Sequence, residues 1–290
     1  ERATCGLRSV ARAARISARG LELLVRVDVA LVERGLARSR NQASALVESG
    51  RVYADGREVS KSSKDVDDET KLIVLEAVDY VSRAGHKLAS ALDLFAEIDP
   101  VGKVALDVGA STGGFTDVLL RRGVDRVVAI DVGHEQMVPE LAANSRVVSI
   151  EGFNARDLSP ETLRAELGEL PVFDIVVADL SFISLTLVLD AMFSVAPSAD
   201  YVLLVKPQFE VGKTSLNAKG IVNDHRLRAQ SIIGVMEHAN KLGLGIQGVV
   251  RSNLPGTHGN IEYVLWMNSR SKSFPSEWFE RVEELAREGR

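Results

Sequence analysis

A glycine-rich stretch, DVGASTGGFTD at residues 107–117, joins a short apolar run to a segment with helical character. Glycines in such a turn let the backbone approach a ligand closely, and two familiar glycine-rich loops bind phosphate in this way. A P-loop requires Lys and then Ser or Thr after its last glycine, but Phe115 and Thr116 follow Gly114. The dinucleotide fingerprint G-x-G-x-x-G does not match either, because the three glycines read G-x-x-x-G-G. The loop therefore predicts a site for a nucleoside without a pyrophosphate.

Ionisable residues stand where apolar, strand-like runs end. Four of these runs end at Asp107, Asp131, Asp179 and Lys206. In an open α/β sheet the ligand binds at the carboxyl ends of the strands, so these side chains are predicted to share one edge. Asp131 lies 22 residues after Gly109, where an acid commonly accepts hydrogen bonds from ribose hydroxyls.

Two more ionisable residues are predicted to reach the same edge. Glu262 begins the last strand-like run, which should lie antiparallel, so its start meets the edge where the parallel strands finish. Lys87 lies on a helix just before the first of the parallel strands, within reach of that edge.

The elements that must position these residues alternate between strands and helices. Five apolar, β-branched runs are separated by helical stretches: VALDVG, RVVAID, RVVSIE, FDIVVADLS and YVLLVKP. This alternation predicts a parallel sheet with helices on both faces. LGIQGVV and IEYVLWMN follow a long helix with no helix between them, so they should pair antiparallel. The predicted fold class is α/β, a doubly wound, mostly parallel seven-stranded sheet.

A small α+β domain is predicted ahead of this sheet. RVDVALVERGL and SRNQASALVESG have helical spacing and end at Gly35 and Gly50, and Ser39 is predicted to cap the second helix. GRVYADGREV predicts two short strands around an Asp55-Gly56 turn. The predicted divisions are a flexible basic extension (1–24), the small domain (25–78), a linker (79–82), the sheet domain (83–268) and a helical tail (269–290).

Charge and composition narrow the function classes. The net charge is −5, but residues 1–64 hold 13 basic and 7 acidic residues, a charge of +6, against 22 and 33, or −11, in the remainder. A basic front domain favours contact with RNA phosphates. The single cysteine and the spacing of the five histidines give no disulfide framework or zinc motif, so we expect no metal. No apolar run is long enough to span a bilayer, and we expect a cytoplasmic protein that does not contact membranes.

Five segments together closely resemble the TlyA family of rRNA methyltransferases: SRAGHKL, DVGASTGGFTD, VVADLSFISL, VKPQFEVGK and GNIEYVLW. The catalytic domain of that family is similar to FtsJ-type ribose 2′-O-methyltransferases. Residues 26–56 are similar to the S-four-type αL RNA-binding domain, which also occurs in a small-subunit ribosomal protein and in pseudouridine synthases. The resemblance runs from about residue 25 to residue 268 and implies a Rossmann-like methyltransferase sheet.

The resemblance also implies roles for particular residues. The family's catalytic tetrad falls on Lys87, Asp179, Lys206 and Glu262. Its cofactor, S-adenosyl-L-methionine, would be bound by Asp107, Gly109, Ala110, Ser111, Gly113, Gly114, Phe115, Thr116, Asp131 and Val132. The implied substrate is a cytidine 2′-hydroxyl in large-subunit rRNA and, in longer members, also one in small-subunit rRNA. For phosphate contacts we select the basic residues Arg26, Arg38, Arg40, Arg51 and Lys61 of the front domain.

The expected chemistry is alignment of a ribose hydroxyl with an already activated methyl group and removal of its proton, which requires no metal. We assign Lys206 as the base, assisted by Lys87, and Asp179 and Glu262 as groups that orient the ammonium groups and the hydroxyl. A lysine base needs a lowered pKa, which a second lysine and partial desolvation favour and carboxylates oppose. That balance stays open at the level of sequence.

Two alternative functions have weaker support from the sequence. A nicotinamide-dependent dehydrogenase would use the same type of sheet but lacks its glycine spacing here. A non-enzymatic RNA-binding or haemolysin-like protein is the other, because members of the family have carried the name haemolysin. A pore former would need a long apolar helix or alternating amphipathic strands, and the sequence contains neither.

Overall fold

The computed structural model describes residues 13–17, 20–48, 50–74, 80–256 and 259–288. The chain divides into two compact units, with the boundary between Val78 and Asp79. Each unit is described by itself below.

The first unit combines two helices with two small sheets. Its elements are β1 (Ala13–Ser17), β2 (Gly20–Arg26), α1 (Val27–Glu33), α2 (Arg40–Glu48), β3 (Val52–Ala54), β4 (Arg57–Glu58), β5 (Asp65–Val66) and β6 (Leu72–Val74). The strand orders are β1-β2-β5 and β4-β3-β6. The predicted cap of the second helix is confirmed, since the backbone N–H of Gln42 donates to Ser39 Oγ at 3.3 Å. The predicted Asp55-Gly56 hairpin is confirmed by the antiparallel pairing of β3 with β4.

The described part of residues 1–24, within this unit, differs from the flexible extension expected there. Residues 13–17 and 20–26 pair as antiparallel strands, while residues 1–12, 18 and 19 lie outside the described residues. The arginine-rich composition concealed a run of strand-forming residues, LELLV, that can pair with a neighbouring segment.

The second unit alternates strands and helices as the sequence predicts. Its elements are α3 (Arg83–Leu94), β7 (Val104–Val108), α4 (Gly114–Arg121), β8 (Arg126–Ile130), α5 (Pro139–Ala142), β9 (Val147–Ile150), α6 (Pro160–Leu167), β10 (Ile175–Ala178), α7 (Leu189–Val195), β11 (Asp200–Val205), α8 (Pro207–Glu210), α9 (His225–Lys241), β12 (Gly245–Arg251), β13 (Tyr263–Asn268) and α10 (Phe279–Arg287). Short 3-10 turns complete several of the connections.

These strands form one seven-stranded sheet in the order β12-β13-β11-β10-β7-β8-β9. Of the seven strands, β13 alone runs in the direction opposite to the others, so it pairs antiparallel with both β11 and β12. This confirms the mostly parallel α/β class and the predicted antiparallel pair. The strands are buried on both faces, and an apolar core lies on each side of the sheet. Strand order reverses where β7 pairs with β8 on one side and β10 on the other, so the crevice expected for a ligand opens at the end of β7.

The predicted C-terminal tail is helical, with a 3-10 turn (Pro275–Trp278) leading into α10. Its apolar residues Val282, Leu285 and Ala286 are buried in the core that also contains α9. In the part of the chain that the structure describes, no helix has the length and apolar character needed to cross a membrane.

Candidate active site

Two buried lysine–carboxylate pairs form at the carboxyl edge of the sheet. Lys87 Nζ lies 2.5 Å from Glu262 Oε2, and the two side chains are 9% and 2% exposed. Lys87 comes from α3, while Glu262 immediately precedes β13, so the pair ties the helix before the sheet to its antiparallel strand. If the two groups moved apart in this buried place, each would be left as an uncompensated charge at a high free-energy cost. The pair therefore holds its ammonium group in a fixed place.

The second pair joins neighbouring strands. Lys206 and Asp179 directly follow β11 and β10, and Lys206 Nζ lies 2.6 Å from Asp179 Oδ1. In this ion pair, Asp179 Oδ1 has no hydrogen-bond donor among the described residues. Lys206 Nζ instead donates to Ser181 Oγ at 3.0 Å. Asp179 Oδ1 therefore retains capacity to accept a hydrogen bond.

A cavity of about 410 Å³ brings the two pairs together. Its lining includes all four predicted catalytic residues, Lys87, Asp179, Lys206 and Glu262, together with the glycine-rich loop. The sequence prediction that these side chains share one edge is therefore confirmed by their positions. A hydroxyl in this cavity would meet two ammonium groups and two carboxylates.

Glycines set the place of Lys87. A Cβ on Gly114 would lie 2.1 Å from Ser82 Oγ and 3.0 Å from the backbone nitrogen of Gly85. A Cβ on Gly85 would lie 2.6 Å from Tyr80 Cβ and 3.0 Å from the Gly114 carbonyl oxygen. The start of α3 is thus packed against the start of α4 at a distance that only glycine permits. One turn of α3 further on, Lys87 points into the cavity beside the loop.

The loop itself turns sharply between β7 and α4. Gly109 (φ +85°) and Gly113 (φ +94°) adopt left-handed backbone conformations, and Ser111 does so with φ +47°. A non-glycine residue there is uncommon and is held by local hydrogen bonds. The Ser111 backbone N–H donates to Asp131 Oδ2 at 2.8 Å, and its hydroxyl contacts Gln136 at 3.0 Å.

Asp131 has a structural task as well as its predicted ligand role. Its second oxygen accepts the Gly133 backbone N–H at 2.7 Å, so the carboxylate ties the glycine-rich loop to the loop after β8. Each carboxylate oxygen has two acceptor sites, so this arrangement leaves room for hydroxyl donors. Asp131 also lines a cavity of about 470 Å³ on the other side of the Gly109–Ser111 turn.

This neighbouring cavity has the character of a nucleoside site. It combines the carboxylate of Asp131 with the apolar side chains of Ile130, Val132 and Phe153. Val132 is 69% exposed, so its apolar side chain is open to contact with a ligand in this cavity. Gly109, Ser111, Asp179 and Ser181 line both cavities, so a ligand could reach from one into the other.

A third carboxyl, Asp107, adds negative potential beneath the loop. It is fully buried in β7, where Oδ2 accepts from the Thr116 hydroxyl at 2.7 Å and Oδ1 has no hydrogen-bond partner among the described residues. Burial raises the pKa of Asp107 to about 7, with the charges of Asp179 and Asp131 adding to the rise and Thr116 opposing it. The carboxylates of Asp131 and Asp179 near this turn favour a cationic ligand, and Asp107 adds to their charge when it is ionised. A nucleoside bearing a positive charge, such as S-adenosylmethionine, fits these residues.

The remaining predicted cofactor residues surround the same turn. Ala110 and Phe115 are buried and line the first cavity with Gly114, whereas Gly113 packs against Leu141. Among the residues that the structure describes, no three His, Cys, Asp or Glu side chains are grouped as ligands for a metal ion.

Several residues that line the cavities are not marked by any sequence pattern. Phe182 is 91% exposed with a left-handed φ of +66°, and its ring lies 5.2 Å from that of Phe209. Both rings line a large cleft of about 1060 Å³ that also contains Lys206 and Arg156. An exposed aromatic in a strained conformation is a functional signal, but the letters DLSF do not reveal the dihedral angle. The cleft offers flat apolar surfaces beside the two lysine–carboxylate pairs.

The basic residues selected in the first unit have different surroundings. Arg26 and Arg40 both bind the buried carboxylate of Asp28, at 3.0 and 2.8 Å, and are 46% and 58% exposed. Arg38 and Lys61 are exposed, and Arg51 is half-buried. Asp28 therefore holds two guanidinium groups side by side at the surface. Its position in the first turn of α1 did not predict this arrangement.

Comparison with known proteins addresses the identity of both units. The model of the FtsJ-like methyltransferase family matches residues 80–269, and that of the S4 domain matches residues 25–72. TlyA of Mycobacterium tuberculosis (strain CDC 1551 / Oshkosh), named a 16S/23S rRNA (cytidine-2'-O)-methyltransferase, is 49% identical over 249 residues, covering 85% of this chain and 90% of that protein. The chain belongs to the TlyA family of FtsJ-like methyltransferases.

Other similar proteins carry the name haemolysin. Hemolysin A of Brachyspira hyodysenteriae is 36% identical over 83% of this chain and 98% of its own length. A solved structure from Streptococcus thermophilus that carries the hemolysin name has 34% identity and a TM-score of 0.65, covering 91% of this chain and 94% of that one. Membership of the TlyA family confirms the methyltransferase interpretation and sets aside the dehydrogenase alternative.

Proposed function

We propose that the protein transfers a methyl group from S-adenosylmethionine to the ribose 2′-hydroxyl of a cytidine in ribosomal RNA. The observation that carries this proposal is the convergence of two buried lysine–carboxylate pairs on one cavity beside the glycine-rich loop. The cytidine and the ribosomal substrate are supported by the printed names of the TlyA-family relatives. Ribosomal RNA as substrate would also place the enzyme in the cytoplasm.

The residues around the Gly109–Ser111 turn would hold the cofactor. Asp131 would accept from its ribose hydroxyls, and Val132 would cover its base. Asp131 and Asp179 would supply the negative potential that suits a cation, and Asp107 would add to it when ionised. When bound, S-adenosylmethionine supplies a methyl group that is already activated for transfer.

The four residues of the two pairs would act on the substrate hydroxyl. After the Lys206 ammonium has released a proton to solvent, its neutral amine accepts the proton of the 2′-hydroxyl, and Asp179 Oδ1 holds the hydroxyl by accepting a hydrogen bond before that transfer. Lys87, fixed by Glu262, places a positive charge beside the oxygen as negative charge develops there. Because these side chains are tied down before substrate arrives, little reorganisation is needed at the moment of reaction.

The first unit would anchor the RNA. We assign phosphate contacts to its exposed cations Arg26, Arg38, Arg40 and Lys61 and to the half-buried Arg51. The substrate includes the large ribosomal subunit, and the M. tuberculosis relative's name, which cites both 16S and 23S rRNA, supports the small subunit as a second one.

The test is methyl transfer to ribosomal subunits from a strain that lacks the gene. Labelled S-adenosylmethionine is incubated with purified large and small subunits, and the rRNA is digested to nucleosides and analysed by mass spectrometry. We expect label in 2′-O-methylcytidine. Binding of the cofactor without label in any rRNA nucleoside would reject the proposal, and label on a base would reject the ribose assignment.

A further inference from the structure

A basic cavity, defined by Arg228, Arg251, Arg287 and His225, opens on the second unit outside the site described above. Its volume is about 810 Å³. Arg251 ends β12, Arg287 ends α10 and His225 begins α9, so three separate elements bring positive or protonatable groups to one place. Ser252 and Asn253 add neutral hydrogen-bonding groups to the lining.

Arg228 supplies a buried charge at this cavity. It is 5% exposed and donates to backbone carbonyl oxygens: to Ala286 at 2.6 and 3.2 Å, to Val222 at 3.1 Å and to Asn223 at 3.0 Å. No carboxylate among the described residues lies within ion-pair distance of its guanidinium. A buried charge with no carboxylate partner among the described residues leaves a positive field, which an anion in the adjoining cavity would complement.

The two arginines at the rim have donors to spare. In its contacts with described residues, Arg251 uses Nη1, which donates to the Glu288 carbonyl oxygen at 3.1 Å. Arg287 uses Nη2, which lies 2.6 Å from Glu283 Oε2. A guanidinium has five N–H donors in a fixed fork, so each can still make the two-point contact that suits a phosphate.

Acidic groups near the cavity reduce this charge without cancelling it. Glu262 lines the cavity but is paired with Lys87, and Glu283 is paired with Arg287. The side chain of Glu288 is exposed at the end of α10. The lining itself therefore contains three guanidinium groups and one carboxylate, and that carboxylate is already bound.

The position of the cavity connects it to the catalytic pairs. Glu262 and Pro255 line both this cavity and the one that contains Lys87 and Lys206. β12 runs parallel to the central strands, so Arg251 at its end lies on the same carboxyl edge as Lys206 at the end of β11. An RNA chain whose ribose enters the catalytic cavity would thus meet the basic cavity as it continues along this edge.

We propose that the basic cavity binds the backbone phosphate of a nucleotide that flanks the methylated ribose. The inference rests on the proposed function, because it takes RNA as the substrate. Arg251 and Arg287 contact the phosphate oxygens, and Arg228 contributes its field from behind. The site fixes the register of the RNA chain and carries no base information.

The experiment replaces both rim arginines in the full chain. Arg251→Gln/Arg287→Gln is compared with a matched pair, Arg270→Gln/Arg281→Gln, that removes the same charge elsewhere. Arg270 binds Asp200 at the opposite edge of the sheet, and Arg281 lies beside Glu284 on α10. Methyl transfer to ribosomal subunits that lack the modification is measured at several salt concentrations, with S-adenosylmethionine affinity and thermal stability measured in parallel.

We expect the rim variant to raise the KM for subunits on the order of tenfold, the scale of one charged hydrogen bond, while kcat and cofactor affinity stay unchanged. The slope of log affinity against log salt should fall by about one unit, the value for one neutralised phosphate. Arg251→Lys/Arg287→Lys, which keeps the charge, should keep most of that slope. A rim variant with the wild-type slope and KM, or a control pair that loses as much, overturns the inference. Failure of the wild-type protein to methylate RNA would instead overturn the proposed function.

Discussion

The two units of the molecule hold their cations in opposite ways. In the first unit, Arg26 and Arg40 are 46% and 58% exposed and share a single buried carboxylate, Asp28. In the second unit, Lys87 and Lys206 are 9% and 11% exposed, and each has a carboxylate of its own. Exposed guanidinium groups in water attract any phosphate chain and are weakened by salt. Largely buried ammonium groups with fixed partners are screened less, because little of their surface is exposed to water and ions.

This difference in exposure fits different proposed roles for the two units, RNA binding for the first and methyl transfer for the second. In the first unit, two exposed arginines share one carboxylate and leave a net positive surface. Such a surface suits binding of an RNA chain, which does not require one particular atom to be held in place. Two closed ion pairs leave no net charge but fix the positions of four groups, which is the arrangement that the proposed methyl transfer needs around its hydroxyl. Changes to the second unit should therefore affect turnover most, and changes to the first should affect salt-dependent affinity most.

Lys206→Met should produce the largest effect. Methionine keeps much of the side-chain volume but cannot accept a proton, so methyl transfer should fall by about 10²- to 10⁴-fold, the usual contribution of a general base. S-adenosylmethionine affinity, measured by calorimetry, should remain near the wild-type value. Lys103→Met, at a half-exposed lysine that pairs with Asp174 away from the cavities, is the matched control. Wild-type turnover in Lys206→Met would mean that another group removes the proton.

Asp107→Asn should change stability in a pH-dependent way. The folded-state pKa of Asp107 is about 7 against an ordinary 3.8, so the native protein retains a proton that the unfolded chain releases between these values. Asp107 therefore lowers the stability of the wild type as pH rises through this window, by up to about 4 kcal/mol above pH 7. Asparagine stays neutral and can still accept from Thr116. Urea unfolding should show equal stability near pH 4 and a more stable variant at pH 8, and parallel pH curves would contradict this reading of the buried carboxyl.

The sequence could predict which residues meet at the sheet edge because that follows from topology. Asp179 and Lys206 each follow a parallel strand directly, and parallel strands finish at one edge. The sequence could not predict which lysine binds which carboxylate. Lys87 reaches Glu262 because the Gly85–Gly114 contact fixes how closely α3 packs on α4, and that distance is a tertiary property.

The exposed cations of the first unit show the same limit of prediction from the sequence. The basic charge of residues 1–64 is visible in the sequence, but the convergence of Arg26 and Arg40 on Asp28 is not, since Arg40 lies 12 residues further along on a separate helix. Likewise, nothing in the letters marks Phe182 as an exposed ring in a left-handed conformation. Helix spacing and charge predicted the elements, whereas packing decided the orientation of individual side chains.

Asp131→Ala should have the next largest effect, on the cofactor. If Asp131 accepts from ribose hydroxyls, its removal should weaken S-adenosylmethionine binding by about 1.5 to 3 kcal/mol, the scale of a hydrogen bond to a charged group. Its links to Ser111 and Gly133 would be lost as well, so the fold of the variant is checked by its circular dichroism and melting temperature. Asp131→Asn, which can keep hydrogen-bond acceptance, should lose less. Unchanged affinity in a folded Asp131→Ala protein would remove Asp131 from the cofactor site.

The smallest effect should come from the exposed cations of the first unit and should depend on salt. Arg38→Gln/Arg40→Gln removes one arginine that is exposed and one that Asp28 holds at the surface. If both contact phosphate, the slope of log RNA affinity against log salt should fall by up to about two units, with cofactor affinity unchanged. Asp28→Asn tests the shared carboxylate, because it adds a net positive charge but frees the two arginines from their common partner. A steeper salt slope in Asp28→Asn would show that charge alone governs anchoring, whereas weaker binding at every salt concentration would show that the fixed spacing of Arg26 and Arg40 matters. Equal slopes in the double arginine variant and the wild type would mean that these two arginines do not take part in anchoring the RNA, and the contrast between the two units would then rest on the catalytic pairs alone.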